Sequence, residues 1–321
     1  MRKKYRILSL LFVAIFIFGS FLVDRSFFNG MKDAMIREGS KIIKKIESKI
    51  ISEPTTKIEK VNSIELTDDL MVFYLDVGQA DAILIKSQND YMLIDAGNNV
   101  DGSKLVEFFK SLGIKEFKYI FGTHAHEDHI GGMDNIIRNF KVKNFYMPDE
   151  VTTTQTYLEI LDELEKKNIK YQVPKIGSKL KLGDSIVEII YVGSSKEDLN
   201  DTSIIIKLTY EETSFLFTGD ATMNEERLIL DKDIESTVLK VGHHGSRYST
   251  GALFLNKVSP RYAIISCGEN NDYGHPHDVI LEKLKKIKAK VYRTDKLGTI
   301  IAISDGYNIS FQNIKTDTNG E

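Results

Sequence analysis

The sequence predicts an α/β fold of two comparable halves, and three observations carry that prediction. From Leu70 onward, short apolar runs bounded by Gly or Asn-Asp turns alternate with stretches of helical spacing. The final third repeats the alternation. Several of the apolar runs end directly in histidines or carboxylates. Strand clusters interleaved with helices agree with two sheets packed face to face and covered by helices on both outer sides. Periodicity alone supports only a generic α/β or α+β reading.

Residues 1–23 begin with Arg2, Lys3, Lys4 and Arg6 and continue in a charge-free run over 7–23. That pattern predicts a membrane anchor or a signal sequence, and the lack of a small-x-small cleavage site or lipobox cysteine favours the anchor. With its basic end in the cytoplasm, a single-pass anchor puts the rest of the chain outside the membrane. Signal cleavage would instead secrete it. Residues 24–69 are polar and lysine-rich, with helical spacing over 31–51 broken around Pro54, which reads as a stalk and linker.

The third region, 70–321, holds the folded domain. Strands are expected at 71–75, 82–85 and 91–94, then a helix at 103–112, a strand at 117–121 and a helix at 130–140. A strand at 143–147 and a helix at 153–167 follow, with several strands through 192. A hairpin of 203–209 and 213–217 precedes a helix at 222–230. Strand 237–241, helix 252–258, strand 262–266 and helix 277–287 lead to strands near 291, 300 and 309.

A chain of 321 residues with 42% hydrophobic content can bury a substantial core. Its single Cys267 excludes an internal disulfide framework. The formal net charge of −3 gives no general attraction to nucleic acid. Lys240, Arg247, Arg261 and Arg293 lie near predicted strand ends, but no basic run and no aromatic platform is evident after Leu70.

The chemistry concentrates at Thr123-His124-Ala125-His126-Glu127-Asp128-His129-Ile130-Gly131-Gly132, where three histidines and two carboxylates occupy six consecutive positions. On a strand-to-helix turn, His124 and His126 point the same way in extended backbone, while Asp128 and His129 aim at a neighbouring position. Imidazole and carboxylate donors suit zinc, with manganese or iron as alternatives. Gly131 and Gly132 let the first helical turn approach the strand closely. The plain alternative is a solvated histidine-rich loop.

This stretch resembles the HxHxDH signature of the metallo-β-lactamase superfamily. Together with Asp76-Val77-Gly78-Gln79, Thr218-Gly219-Asp220, Lys240-Val241-Gly242-His243-His244-Gly245-Ser246 and Tyr273-Gly274-His275-Pro276, it looks like the hydrolase domain of ComEC-type DNA-uptake proteins, over roughly residues 70–312. The resemblance implies an αββα sandwich of two mixed sheets and one or two divalent metals, Zn or Mn. It also implies metal-assisted hydrolysis, with phosphodiesters such as single-stranded DNA as the leading substrate. A small anionic or cell-envelope ester, or a non-catalytic metal-binding module, are the competing readings.

Asp220 is the expected shared anionic ligand, since two neighbouring cations repel without one; otherwise it caps the following helix. One of His243 and His244 is expected to bind metal and the other to face substrate, because neighbours on a strand end point oppositely, with His243 favoured. Many superfamily members place another histidine before the penultimate strand. All seven of this chain's are accounted for at 124, 126, 129, 243, 244, 275 and 277. Asn200 falls at the equivalent place, with Asp201 as the alternative donor, and an amide oxygen is a weaker, harder ligand than imidazole. Asp128 also orients the attacking water in this reading. Gln79 and His275 contact substrate, His275 as hydrogen-bond donor or proton source. Asp95 orients a ligand histidine, and Asp76, Ser246 and Ser249 stand near substrate or behind the ligands. His277 starts a helix. Expected partners are the membrane through the N-terminal segment, nucleic acid or another phosphodiester, and a separate membrane channel. One candidate span cannot itself form a pore. Nothing in the sequence requires an oligomer.

Overall fold

The computed structural model describes residues 59–60, 64–150, 152–194 and 197–314. The expected anchor at 1–23 and most of the expected stalk at 24–69 lie outside the described residues. Among the described residues no helix is long and apolar enough to cross a membrane.

Two mixed sheets form the framework. The first runs, edge to edge, Glu59–Lys60, Ile309–Ile314, Thr299–Ser304, Leu70–Tyr74, Ala82–Ser87, Asp90–Ala96, Tyr119–Phe121, Phe145–Tyr146 and Tyr171–Gln172. The second runs Lys179–Leu182, Ser185–Val192, Ile204–Tyr210, Thr213–Phe217, Val238–Lys240, Tyr262–Ile265 and Lys290–Arg293. Glu59–Lys60 falls within the expected linker yet pairs in parallel with Gln312 and Asn313, so sheet pairing begins before Leu70.

Alternation within the strands produces the layers. Leu70, Val72 and Tyr74 join Val187, Ile189, Ile206, Phe215 and Phe217 in a core between the sheets. Met71 and Phe73 point the other way, toward Leu105, Phe109, Ile136 and Ile160 of the covering helices. On the far side Ile205, Leu216, Leu239 and Ala263 pack on Phe254, Leu255, Ile280 and Leu284. Three separate cores stacked this way are what an αββα sandwich requires. Each fully buried Leu, Ile or Phe contributes about 1.5–3 kcal/mol.

The helices follow their apolar spacing. Gly102–Ser111 buries Leu105, Val106 and Phe109. Gln155–Lys166 starts where the Thr154 side chain accepts a hydrogen bond from Tyr157 N, and it buries Tyr157, Ile160 and Leu164. Asp278–Lys286 buries Ile280 and Leu284.

Two expected elements differ. The strand expected at 117–121 divides at Lys118, whose ammonium pairs with Asp90 at 2.6 Å. Glu116–Phe117 joins Lys141–Val142 in a small separate sheet, and Tyr119–Phe121 stays in the main one. The helix expected at 130–140 is two short helices, Glu127–Ile130 and Met133–Asn139, separated at Gly131 and Gly132.

Strand direction positions the site. Apart from the short parallel edge pair at Glu59–Lys60, each sheet is antiparallel on one side and parallel on the other, and Asp90–Ala96 lies parallel to Tyr119–Phe121. Thr213–Phe217, Val238–Lys240 and Tyr262–Ile265 are likewise parallel. Parallel neighbours gather the loops after their C-terminal ends at one edge. The sheets meet there, with Ile204 N donating to Thr123 O at 3.0 Å.

Candidate metal centre

The first sheet delivers a contiguous group of donors. The chain leaves Phe121, passes His124 in a loop, and enters the helix Glu127–Ile130 with His126 at its N-cap, so Asp128 and His129 are helical. A side chain at Gly131 would come within 2.2 Å of Asn99 N, and one at Gly132 within 2.5 Å of Ala96 O. The glycines therefore let the helical turns sit directly on the loop after Asp90–Ala96.

Asp95 ends that strand at φ +60° and organises the donors from behind. Its carboxylate accepts hydrogen bonds from Thr123 N at 2.8 Å and Thr123 Oγ1 at 2.7 Å, and lies 2.7 Å from His129 Nδ1. A carboxylate only accepts, so His129 carries a proton on Nδ1 and, when the ring is neutral, presents Nε2 as a lone pair. Thr123 Oγ1 spends its proton on Asp95 and can accept from His124 Nδ1 at 3.2 Å. His124 Nε2 is then also a lone pair, 3.0 Å from His126 Nδ1.

The second sheet delivers its donors singly. Gly219 lets the loop after Thr213–Phe217 pass against Thr123, where a side chain would lie 3.0 Å from the Thr123 Cβ. Ser203 Oγ accepts from Asp220 N at 3.1 Å. After Val238–Lys240 the backbone coils, with φ +50° at His243 and +52° at His244. The sequence expectation assumed a strand end there, with alternating side chains and His243 favoured. The left-handed turn replaces that geometry. His244 is buried at 1% exposure, and His243 stands at the rim, its side chain 22% exposed. His244 Nδ1 lies 3.0 Å from the Ser266 carbonyl, which leaves Nε2 as a lone pair facing the cluster.

These donors converge. His129 Nε2 is 3.2 Å from Asp220 Oδ1, and His244 Nε2 is 3.4 Å from Asp128 Oδ2 and 3.6 Å from Asp220 Oδ2. Among the described residues, His124, His129 and Asp220 form one group with ligand atoms within 4.8 Å of one another, and Asp128, His129 and His244 form another. His129 Nε2, His244 Nε2 and Asp220 Oδ1 are buried without a hydrogen-bond partner. Buried polar atoms are rarely left so, and neighbouring donors that face one another without bonding fit a divalent cation between them.

The electrostatics favour positive charge at this point. Burial alone would depress the pKa of His129, but Asp220, Asp95 and Asp128 hold it well above the ordinary value, so without a cation Nε2 also holds a proton, which a bound cation would replace. Asp220 is driven the other way. Burial would raise its pKa, yet His129 and His244 bring it well below the usual carboxylate range. Burial first, and then the charge of His129, push His124 well down.

Asn200 lies in the turn Leu199–Thr202, and its Oδ1 is buried without a hydrogen-bond partner. Asp201, the alternative donor, uses Oδ1 to accept from Thr222 Oγ1 at 3.1 Å. Gln79 accepts from Gly268 N at Oε1, 3.1 Å away, which fixes its amide and points Nε2 at His275 Nδ1, 3.3 Å away. Burial, followed by the charges of His244 and His243, lowers the His275 pKa to about 4.

Other expected residues take plainer positions. Ser249 is not on the pocket: wholly buried, it donates from Oγ to Ala221 O at 2.8 Å and so ties its loop to the Asp220 segment. Ser246 is buried and accepts from Tyr248 N at 3.4 Å. Asp76 is exposed, and its Oδ1 lies 3.5 Å from Gly78 N. His277 sits at the N-cap of Asp278–Lys286, as expected, and its Nδ1 also accepts from Arg247 N at 3.1 Å. Lys240 is no surface cation, being 1% exposed and paired with Asp81 at 2.8 Å. Arg293 pairs with Asp295 at 2.6 Å.

Sequence reasoning missed three supports. Asn271 grips the backbone of His275 from both sides, at 2.9 Å to its N and 2.6 Å to its O. Glu226 accepts from Thr250 N and Gly251 N beyond the His244 loop. The Asp81–Lys240 pair joins residues 159 positions apart. No local pattern marks any of them.

Comparison with known proteins agrees with this geometry. Residues 75–269 match the family model described as Metallo-beta-lactamase superfamily. ComE operon protein 3 of Bacillus subtilis (strain 168) is 29% identical over 256 residues, covering 73% of this chain and 33% of that protein. Competence protein ComA of Neisseria gonorrhoeae is 26% identical, covering 70% of this chain and 31% of the other. The chain thus spans about a third of the length of these curated relatives. Among solved structures, the metallo-beta-lactamase fold protein YhfI from Bacillus subtilis shares the fold at a TM-score of 0.50 and 14% identity, covering 70% of this chain and 96% of YhfI.

Proposed function

The chain belongs to the metallo-β-lactamase superfamily, and from that premise we propose that its pocket is a two-cation centre hydrolysing phosphodiester bonds, with single-stranded nucleic acid as substrate. The observation that carries this reading is the set of facing, unpartnered donors on His129, His244 and Asp220. His124, His126 and Asn200 would hold one cation, and Asp128, His129 and His244 the other, with Asp220 between them. Bound there, zinc or manganese would supply Lewis acidity and bring the pKa of a water toward neutrality.

The chain's own residues do the rest. Asp128, with a side chain 33% exposed, is open enough to accept a hydrogen bond from the attacking water and orient it. Asp95 and Thr123 fix which nitrogens face the cations. Because Gln79 donates to Nδ1 of His275, the neutral ring carries its proton on Nε2, available to a phosphate or leaving oxygen.

Support for a nucleic-acid substrate comes from relatives named as competence proteins. The N-terminal charge pattern supports a membrane-anchored chain acting outside the cytoplasm, beside a separate channel. The test is a substrate panel with added zinc or manganese: single-stranded DNA, a nitrophenyl phosphodiester and a nitrophenyl carboxylic ester. Cleavage of both phosphodiesters, abolished in Asp220→Ala, is expected. Cleavage of the carboxylic ester alone overturns the substrate assignment, and no turnover by a metal-loaded chain overturns the hydrolase.

A further inference from the structure

A chain of net charge −3 has little to offer the phosphates of a polyanion, so a nucleic-acid substrate must be held in some other way. The structure supplies one in a file of aromatic rings leading out of the metal cluster. The buried ring of His244 lies 6.4 Å from that of His275, with the planes 23° apart. The His275 ring lies 5.5 Å from that of Tyr273, at 22°. A file of three rings, each within 23° of the next, thus runs from a metal-facing histidine to the surface, where Tyr273 is 68% exposed.

Beyond them lies a groove of about 650 Å³ whose lining includes Arg247, Tyr248, Gly274 and Pro276. That volume is in the range of a small-ligand site. Tyr248 is 65% exposed, and Arg247 lines the groove beside it. Apart from its chain neighbours, a side chain at Gly274 would meet nothing within 4 Å, so the space at that position is open. Exposed aromatics beside one cation, on the loops that carry His244 and His275, are the components of a base-stacking surface.

We infer that Tyr273, with Tyr248 and Arg247 lining the adjoining groove, is the stacking platform for a base of single-stranded nucleic acid whose neighbouring phosphate lies at the metal cluster. The inference rests on the phosphodiesterase reading and deepens it. Recognition runs through base faces, with Arg247 as the single cationic contact. Asp272 and Asp278 flank the groove in the chain, so binding depends strongly on the base and weakly on salt.

The test uses the full chain loaded with zinc and a short oligodeoxynucleotide whose phosphorothioate linkages resist cleavage, carrying one 2-aminopurine. Stacking on Tyr273 should quench its fluorescence. Both Tyr273→Leu and an abasic nucleotide at that position should weaken binding by about tenfold. Combining the two should cost no more than either alone, and Tyr307→Leu, at another exposed tyrosine, should bind as the parent does. The platform is overturned if Tyr273→Leu binds as tightly as the parent, if base and abasic strands bind alike, or if the parent binds neither. Turnover of a nitrophenyl phosphodiester, which needs no base contact, is measured on the metal-loaded parent as the separate readout of the hydrolase. The two readings fail separately: a parent inactive on that ester sinks the hydrolase while the binding result stands on its own.

Discussion

The two sheets furnish the pocket in opposite ways. From the first come His124, His126, Asp128 and His129, close neighbours in the chain, set by one turn and held from behind by Asp95 and Thr123. From the second come Asp220, His244 and His275, each on its own loop and each fixed by a distant contact: Ser203, Ser266 and Gln79. One half of the site is local information. The other exists only once both sheets have packed.

That difference sets which changes should do most damage, beginning at the junction. Asp81 belongs to the first half and Lys240 to the second, and both are about 99% buried. Removing one partner strands a buried charge, so Lys240→Met should destabilise the fold by about 3–5 kcal/mol in denaturant titrations. Replacing both, as Asp81→Leu with Lys240→Met, should recover most of the loss. A single variant as stable as the parent would mean that the pair does not join the halves.

Within the first half, Asp95→Asn leaves one acceptor oxygen where Thr123 N and His129 Nδ1 use two, and should lower metal affinity or turnover by about 10- to 100-fold while the fold persists. Unchanged metal affinity would show that the contiguous motif needs no support from behind.

Within the second half, Glu226 pins Thr250 and Gly251. Burial pushes its carboxyl up to about 7, although those two backbone bonds and Lys283 oppose the shift. The folded state then keeps a proton that the unfolded chain releases near pH 4.3. Over that window the native state binds more protons, so the Glu226 contribution to stability is greatest at low pH and declines as pH rises to about 7. Relative to Glu226→Gln, the parent should therefore be progressively less favoured between pH 4.5 and 7, read from urea midpoints. Parallel profiles would contradict the raised carboxyl.

The same contrast explains what the sequence revealed. Alternating apolar runs placed most strands and helices within a residue or two, because both faces of each sheet are buried and Leu70 to Tyr74 must serve two cores at once. The run from His124 to His129 was legible because its donors are adjacent. The choice between His243 and His244 was not, because it depends on two consecutive residues at positive φ, where a strand end was expected. Lys240 stood among the cations near predicted strand ends, and its pairing was hidden because its partner is 159 residues away. Tyr273 gave no sign of a platform until the His244 and His275 rings were seen beside it.

The central claim is that donors from both halves converge on bound cations. Metal analysis of the purified chain after equilibration with zinc or manganese tests it most directly. The account predicts one or two divalent ions per chain in the parent and a marked loss in Asp220→Ala, whose missing carboxylate lies between both histidine groups. A parent that retains no ion, or an Asp220→Ala variant that retains the parent's full complement, would contradict it.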